Sequence, residues 1–341
     1  MELGRKVGHM GAVDQPREDQ RSVPPGDPEA QYRQAIELLA APDSDSHLEH
    51  GIALLDAASA GGLAAATELC AVFEAMGVRR RPNWDRAFDR LVEAAEQGSA
   101  RAGMQLLLLA DPTSEPDIGA QLGSWLDVRE RISLERLLKS GERVTLSDAP
   151  RVRVIREFAT APECRWVIER ARERLKPAMI FDHSGRHVVD PGRSNTGMDF
   201  RVLEMDLVLE VLRARISAAV RVPLPVFELT QVFHYAPGEE FRLHHDYLDP
   251  SNPDHRKHLA DHGQRIATFL VYLNDDFEGG ETEFPKVDVR FRGNAGDAIF
   301  WANVDMDGAP DPLSFHSGLP PSSGEKWLLS QWIRDRAASP A

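Results

Sequence analysis

Cysteine is nearly absent. Cys70 and Cys164 are the only two in 341 residues, and they stand far apart. Neither a disulfide framework nor a cysteine-rich metal knot can be built from them, which points to a reducing compartment. No apolar run reaches the roughly 18 residues needed to cross a bilayer, and the polar N-terminus lacks the apolar core of a signal peptide. The expectation is a cytoplasmic protein with no membrane partner. Positive charge is also short: 40 Lys and Arg face 54 Asp and Glu, a net charge of −14. Such a chain offers no basic field to phosphate, so nucleic acid is excluded as a partner. What remains is ordinary globular composition, 42% hydrophobic and 28% charged, with room for two modest domains.

Residues 1–29, rich in Pro, Gly and Asp, read as a disordered leader. Residues 30–112 read as helical, because Ala, Leu and Glu dominate and apolar residues recur at helical spacing. A weak repeat runs through them. Leu54, Ala57, Ala58, Gly61, Ala65 and Leu69 return 37 residues later as Leu91, Ala94, Ala95, Gly98, Ala102 and Leu106. Small residues at fixed positions let paired helices approach closely, and a period of this length suggests stacked helical hairpins. The stretch resembles the Sel1-like branch of the tetratricopeptide-type repeats. That resemblance implies a surface for a protein partner or for self-association. Residues 113–148 read as a connector carrying one helix around Ser124–Lys139.

From residue 149 to 337 the texture becomes α+β. Arg151–Ile155 alternates like a strand. Thr160, with Glu163 three residues on, is a capping box opening a helix to about Leu175. A second helix covers about Met205–Val220. Short strands then follow, separated by Gly and Pro: Val226–Tyr235, Phe241–Tyr247, the apolar Arg265–Leu273, Glu281–Phe284, Val287–Phe291, Gly296–Trp301, Leu313–Ser317 and Trp327–Ile333. Many short strands after two helices argue a β-sandwich or jelly roll with supporting helices, preceded by the all-α helical-repeat domain.

The chemistry gathers on these strands. His244 and Asp246 are two apart, so on a strand they share a face, while His245 points the other way. His316 supplies a second imidazole 70 residues after Asp246. Two imidazoles and a carboxylate make the facial triad of a non-haem Fe(II) oxygenase. Three protein ligands leave three open positions, two for a bidentate 2-oxo acid and one for O2. A structural zinc site would close with a fourth ligand, usually cysteine, and no suitable cysteine exists. Lys326 opens the last strand and shares its face with Leu328, Ser330 and Trp332. A cation on an apolar barrel face needs an anion, and the second carboxylate of a keto acid is one. Tyr235 and Thr268 are hydroxyls placed to assist; Thr268 shares parity with Ile266, Leu270 and Tyr272.

Residues 152–336 resemble the prolyl 4-hydroxylase-type catalytic domain of the 2-oxoglutarate/Fe(II)-dependent dioxygenases. The matching stretches are Gln231-Val-Phe-His-Tyr235, His244-His-Asp246, Thr268-Phe-Leu-Val-Tyr-Leu-Asn274, Gly279-Gly-Glu-Thr-Glu-Phe284, Gly296-Asp-Ala-Ile-Phe-Trp301, His316-Ser-Gly318 and Gly324-Glu-Lys-Trp327. The resemblance implies a double-stranded β-helix, Fe(II) on His244, Asp246 and His316, and 2-oxoglutarate held by Lys326 with help from Tyr235 and Thr268. It also implies O2 as oxidant, ascorbate as reductant, and succinate and CO2 as co-products. The substrate it implies is a peptidyl residue, proline among them, or a free small molecule. Arg193-Ser-Asn195 stands where prolyl hydroxylases usually carry Arg-Thr-Ser beside the peptide groove, and Asp199, Arg201 and Arg242 are further substrate-facing candidates. Trp301 reads as a core residue at a strand end. His255, His258 and His262 recur at helical spacing in a polar insertion over 250–263, read as a solvated helix or a lid. The reading from a different class is an interaction protein working through its helical repeats, with an idle metal-binding barrel.

Overall fold

The structure is a computed structural model, and it describes residues 26–40, 44–121, 123–178, 180–181, 187–188 and 192–337. The expected leader lies outside the described residues as far as residue 25, as do residues 182–186 and 189–191.

Among the described residues, five helices come first: α1 (Pro28–Ala40), α2 (Asp45–Ala60), α3 (Ala64–Met76), α4 (Trp84–Glu96) and α5 (Ala100–Ala110). Ser44, Asn83 and Ser99 cap three of them, each side chain accepting from an amide of the first turn, which satisfies donors the helix cannot. The 37-residue period maps α2 onto α4 and α3 onto α5, and Ala58 and Ala95 are both buried. The region is helical; its assignment to Sel1-like repeats rests on the sequence period. The single connector helix expected around Ser124–Lys139 is instead two, α6 (Trp125–Glu130) and α7 (Leu134–Leu137). Ser124 and Asp127 form a capping box on the first, and Ser133 caps the second by accepting from Arg136 N. A serine inside a helical pattern competes for backbone donors and restarts the helix.

The remaining helices are α8 (Ala161–Arg172), α9 (Leu207–Val220) and α10 (Pro253–His262). Thr160 and Glu163 form the expected capping box of α8. The α9 segment is apolar on almost every side, as a helix buried all round must be. Its N-cap Asp206 accepts from Leu209 N and from Trp166 and Arg170 of α8. Arg215 of α9 makes a two-pronged ion pair with Glu163 and also reaches the carbonyls of Leu137 and Phe158. The N-terminal helices and the strands that follow therefore share one apolar core, from Leu55 and Phe88 through Val208 to Phe269 and Leu329.

Among the described residues, sixteen strands complete the fold: β1 (Arg143–Asp148), β2 (Arg151–Ile155), β3 (Lys176–Pro177), β4 (Ile180–Phe181), β5 (His187–Val188), β6 (Thr196–Phe200), β7 (Thr230–Tyr235), β8 (Phe241–His244), β9 (Arg265–Tyr272), β10 (Glu278–Gly279), β11 (Thr282–Phe284), β12 (Val289–Phe291), β13 (Ala298–Ala302), β14 (His316–Gly318), β15 (Pro321–Ser323) and β16 (Lys326–Arg334). An eight-stranded antiparallel sheet runs β1-β2-β13-β9-β16-β7-β6-β3, and a four-stranded one runs β12-β11-β14-β8. This is a jelly-roll arrangement of antiparallel sheets, with a second apolar cluster built from Phe233, Tyr272, Phe284, Ile299, Trp301 and Leu328. The sheet already begins at Arg143, inside the expected connector. The strand expected over Phe241–Tyr247 stops at His244, and the one expected over Leu313–Ser317 is a short 3-10 turn followed by β14. Among the described residues, no helix is long and apolar enough to cross a membrane.

Candidate active site

Pairing of β14 with β8 sets His316 directly opposite His244. Asp246 lies two residues past the end of β8, not within it, yet its carboxylate closes on both rings. Oδ1 is 3.5 Å from His244 Nε2 and Oδ2 is 3.5 Å from His316 Nε2. One donor atom from each residue lies within 4.8 Å of the other two. His244 Nδ1 faces the Arg242 carbonyl at 2.7 Å, and His316 Nδ1 faces the Ser314 carbonyl at 2.8 Å. A carbonyl can only accept, so each Nδ1 carries the proton and each Nε2 keeps its lone pair for the centre of the cluster. Burial pushes the His316 imidazole down to about 4, which keeps it neutral. Burial would raise Asp246, but the facing His316 and His244 and the Thr268 hydroxyl outweigh it and hold the carboxyl well below its usual range. Two neutral imidazoles and one carboxylate suit a divalent transition metal with open positions. His245 is turned away, its Nε2 3.3 Å from the Pro312 carbonyl and its ring between Tyr247 and Phe315.

The Asp246 carboxylate is itself held. Thr268 Oγ1 donates to Oδ2 at 2.6 Å, and Asn303 Nδ2 donates to Thr268 Oγ1 at 3.0 Å. Thr268 lines the same cavity as Lys326, but its proton goes to the carboxylate ligand. Sequence reasoning does not reach Asn303, which is fully buried just beyond β13. Its one signal is a polar side chain two residues after a buried tryptophan.

Lys326 is 0% exposed, and its Nζ has no hydrogen-bond partner. The register of β16 on β7 places it opposite Tyr235, with Nζ 4.9 Å from the Tyr235 ring centre and 5.7 Å from that of Tyr272. Burial pushes the ammonium down to about 7 and the Tyr235 phenol up to about 12. Leu328, Ser330 and Trp332 line the same narrow cavity, as strand parity requires, together with His244, Asp246 and His316. Ser317 Oγ, Ser330 Oγ and Trp301 Nε1 also lack partners there. Gly318 leaves room between the two polar ends: a Cβ on it would lie 3.6 Å from Tyr235 Oη and 3.8 Å from Lys326 Nζ. Buried donors of this kind are normally satisfied, and a ligand carboxylate satisfies them. The residues fit both an iron ion and a 2-oxo diacid.

On the other side of the triad, a wider cavity of about 530 Å³ opens over His244 and Asp246. Arg193, Asp199, Arg242 and Trp332 line it, and His255 of α10 reaches its rim. Arg193 is 5% exposed and lies between the rings of Phe233 and Phe241, at 4.5 and 4.4 Å. Its Nε donates to Asn195 Oδ1, and no carboxylate pairs with it among the described residues. Asp199 accepts from Gln231, Arg242 pairs with Glu240, and Arg201 lies on a third cavity. The rings of His258 and His262 lie 4.6 Å apart and tilted against each other, and neither residue lines the cavities at the triad.

Residues 230–334 match the model of the 2OG-Fe(II) oxygenase superfamily. Prolyl 4-hydroxylase 1 of Arabidopsis thaliana is 34% identical over 210 residues, which span 57% of this chain and 72% of that protein. The chain belongs to the prolyl 4-hydroxylase-like 2OG-Fe(II) oxygenases. Membership makes it a 2-oxoglutarate-dependent dioxygenase, a hydroxylase, and implies Fe(II), 2-oxoglutarate and O2. Other members include prolyl 4-hydroxylase 13 of the same plant, 31% identical over 56% of this chain and 73% of the relative. Among solved structures, the viral collagen prolyl hydroxylase of Paramecium Bursaria Chlorella virus-1 in its 2OG complex is 27% identical, covering 53% of this chain and 94% of that one, with a TM-score of 0.42.

Proposed function

We propose that this chain hydroxylates a proline residue within a peptide, with succinate and CO2 as co-products. The observation that carries the reading is that the triad stands between two unlike cavities. One is narrow and holds a buried, unpaired ammonium. The other is wide and bordered by a buried guanidinium that makes no salt bridge among the described residues. The first suits a small dianion and the second a chain of peptide carbonyls.

Fe(II) belongs on His244 Nε2, His316 Nε2 and an Asp246 oxygen, and 2-oxoglutarate belongs in the narrow cavity with its far carboxylate on Lys326. Once bound, the iron and cosubstrate supply the oxidising power that puts one oxygen atom of O2 into a C–H bond. The chain does the rest. The Lys326 ammonium neutralises the cosubstrate's carboxylate, and the Tyr235 hydroxyl donates to it. Thr268 and Asn303 fix the orientation of Asp246. Phe233, Leu270, Trp301 and Leu328 keep bulk water out. Arg193, sandwiched between two rings, offers its free N–H groups to the substrate main chain. Ascorbate would serve as the reductant, as the resemblance implies, and the two free, buried thiols suit the cytoplasm as its setting.

The test is a screen of prolyl peptides, other peptides and free amino acids with Fe(II) and 2-oxoglutarate. A gain of ~16 Da on a prolyl peptide, the mass of one inserted oxygen, is expected with wild type and not with His316→Ala. A free amino acid gaining that mass while every peptide stays unchanged would overturn the peptidyl assignment.

A further inference from the structure

The wide cavity does not end at Arg193. A second space of about 530 Å³ shares Arg193, Asp199 and Gln231 with it and continues along β6 towards β3. Four cations, Arg174, Lys176, Arg193 and Arg201, border this extension against two carboxylates, Asp199 and Glu204. Glu204 is already paired with a cation, while Asp199 has a neutral amide as partner and keeps its charge, which leaves three cations facing one free carboxylate. Asp199 accepts from Gln231, and Glu204 takes the Arg174 guanidinium and the Arg201 backbone N–H. Lys176 and Arg201 have no ion-pair partner among the described residues, and Arg193 is buried without one. A molecule of net charge −14 thus keeps unpaired positive charge along one arm of its groove. Charge left uncompensated on a groove wall selects the sign of what lies there.

We infer that the substrate peptide carries acidic residues on the side that runs from Arg193 along β6, where Lys176 and Arg201 read them. The inference rests on the peptidyl reading of the site and adds the class of peptide. Arg193 anchors the chain beside the triad, and Lys176 and Arg201 act as specificity residues further out. Because these two are exposed, each contact is weak, salt-sensitive and additive rather than decisive.

The experiment uses the full chain loaded with Fe(II) and 2-oxoglutarate under anaerobic conditions, so that binding is read without turnover. Three fluorescent prolyl peptides differ only in flanking residues: Asp/Glu, Ser/Gln, or Lys/Arg. The acidic peptide binds about tenfold tighter than the basic one at low salt, and the advantage shrinks as salt rises. In Lys176→Glu/Arg201→Glu the order reverses, and in Lys176→Ala/Arg201→Ala it flattens. Equal binding of all three peptides to wild type, or an unchanged order in the charge-reversed variant, would overturn the charge inference while leaving prolyl hydroxylation standing. If no prolyl peptide of any charge binds or gains oxygen when air is admitted, both fail together.

Discussion

Two residues behind the triad carry its geometry. Thr268 spends its only proton on Asp246 Oδ2, and Asn303 spends an amide proton on Thr268. Groups that orient a metal ligand typically control affinity by 10–100-fold. Thr268→Val keeps the shape and removes the donor, so it should raise the dissociation constant for Mn(II) or Co(II) about tenfold by calorimetry. Asn303→Ala should act in the same direction and less. Unchanged metal affinity in both would mean that the carboxylate needs no such support. Lys326 gives a prediction in pH. Burial lowers its value to about 7, well under the ordinary lysine near 10.4. The apo protein therefore sheds this proton as pH rises past 7, whereas a bound carboxylate favours the charged form. Binding of 2-oxoglutarate should take up a proton at pH 8 and weaken steadily from pH 7 to 9, and Lys326→Met should abolish both the proton uptake and most of the affinity. A pH-independent dissociation constant in wild type would contradict this role.

At the scale of elements, α10 stands out because it is polar, inserted between β8 and β9, and still fastened at one end. Arg334 of β16 donates to the Gly263 carbonyl and to His258 Nε2, and Arg336 reaches the Leu259 and Ala260 carbonyls. These cations sit at the helix C-terminus, where the dipole favours them. The Arg334–His258 contact needs a neutral imidazole, because a protonated one has no lone pair to accept with. Burial and the facing Arg334 push His258 down to about 4. A depressed histidine stabilises above the unfolded value near 6.5 and loses that contribution as pH falls towards 4. Half-exposure screens the effect, so a loosening of α10 rather than global unfolding is expected. Hydrogen exchange in 253–263 should quicken from pH 7 to 5 in wild type, beyond the intrinsic pH dependence, and not in His258→Ala. Sequence periodicity alone locates this helix, and the strand parity of β16 and β9 correctly groups Lys326 with Ser330 and Thr268 with Leu270. Other features escape it. That β8 stops before Asp246 and that Asn303 completes a relay depend on contacts distant in sequence, which periodicity does not carry; the split at Ser133 is a local cap that apolar spacing does not register.

For the whole molecule, the question is whether the N-terminal helices are an appendage or part of the barrel's foundation. Gln105 of α5 is fully buried. Its amide donates to Glu68 of α3, and its carbonyl accepts Leu207 N at the start of α9. Removing it strands the buried Leu207 N–H, at about 1–3 kcal/mol, and takes one of three donors from Glu68, which keeps Arg101 and Ser99. Gln105→Ala should therefore lower the denaturation midpoint of the metal site and the helices together, in a single transition followed by both circular dichroism and tryptophan fluorescence. Two separate transitions, with only the first affected, would show that the helices fold apart from the barrel. The repeat pattern in the sequence marks these helices as paired hairpins. It does not disclose that they lie against α9, because that contact is made by one glutamine and a set of ordinary apolar side chains.

All three scales converge on one claim: His244, Asp246 and His316 bring O2 and 2-oxoglutarate together over a substrate. The most direct measurement is turnover under heavy-isotope O2 with an accepted prolyl peptide, following both products by mass spectrometry. One heavy oxygen atom should appear in the peptide and one in succinate, in equal amounts, and both signals should vanish in His316→Ala. Oxygen in the product derived from water, or succinate formed equally by wild type and His316→Ala, would contradict the account.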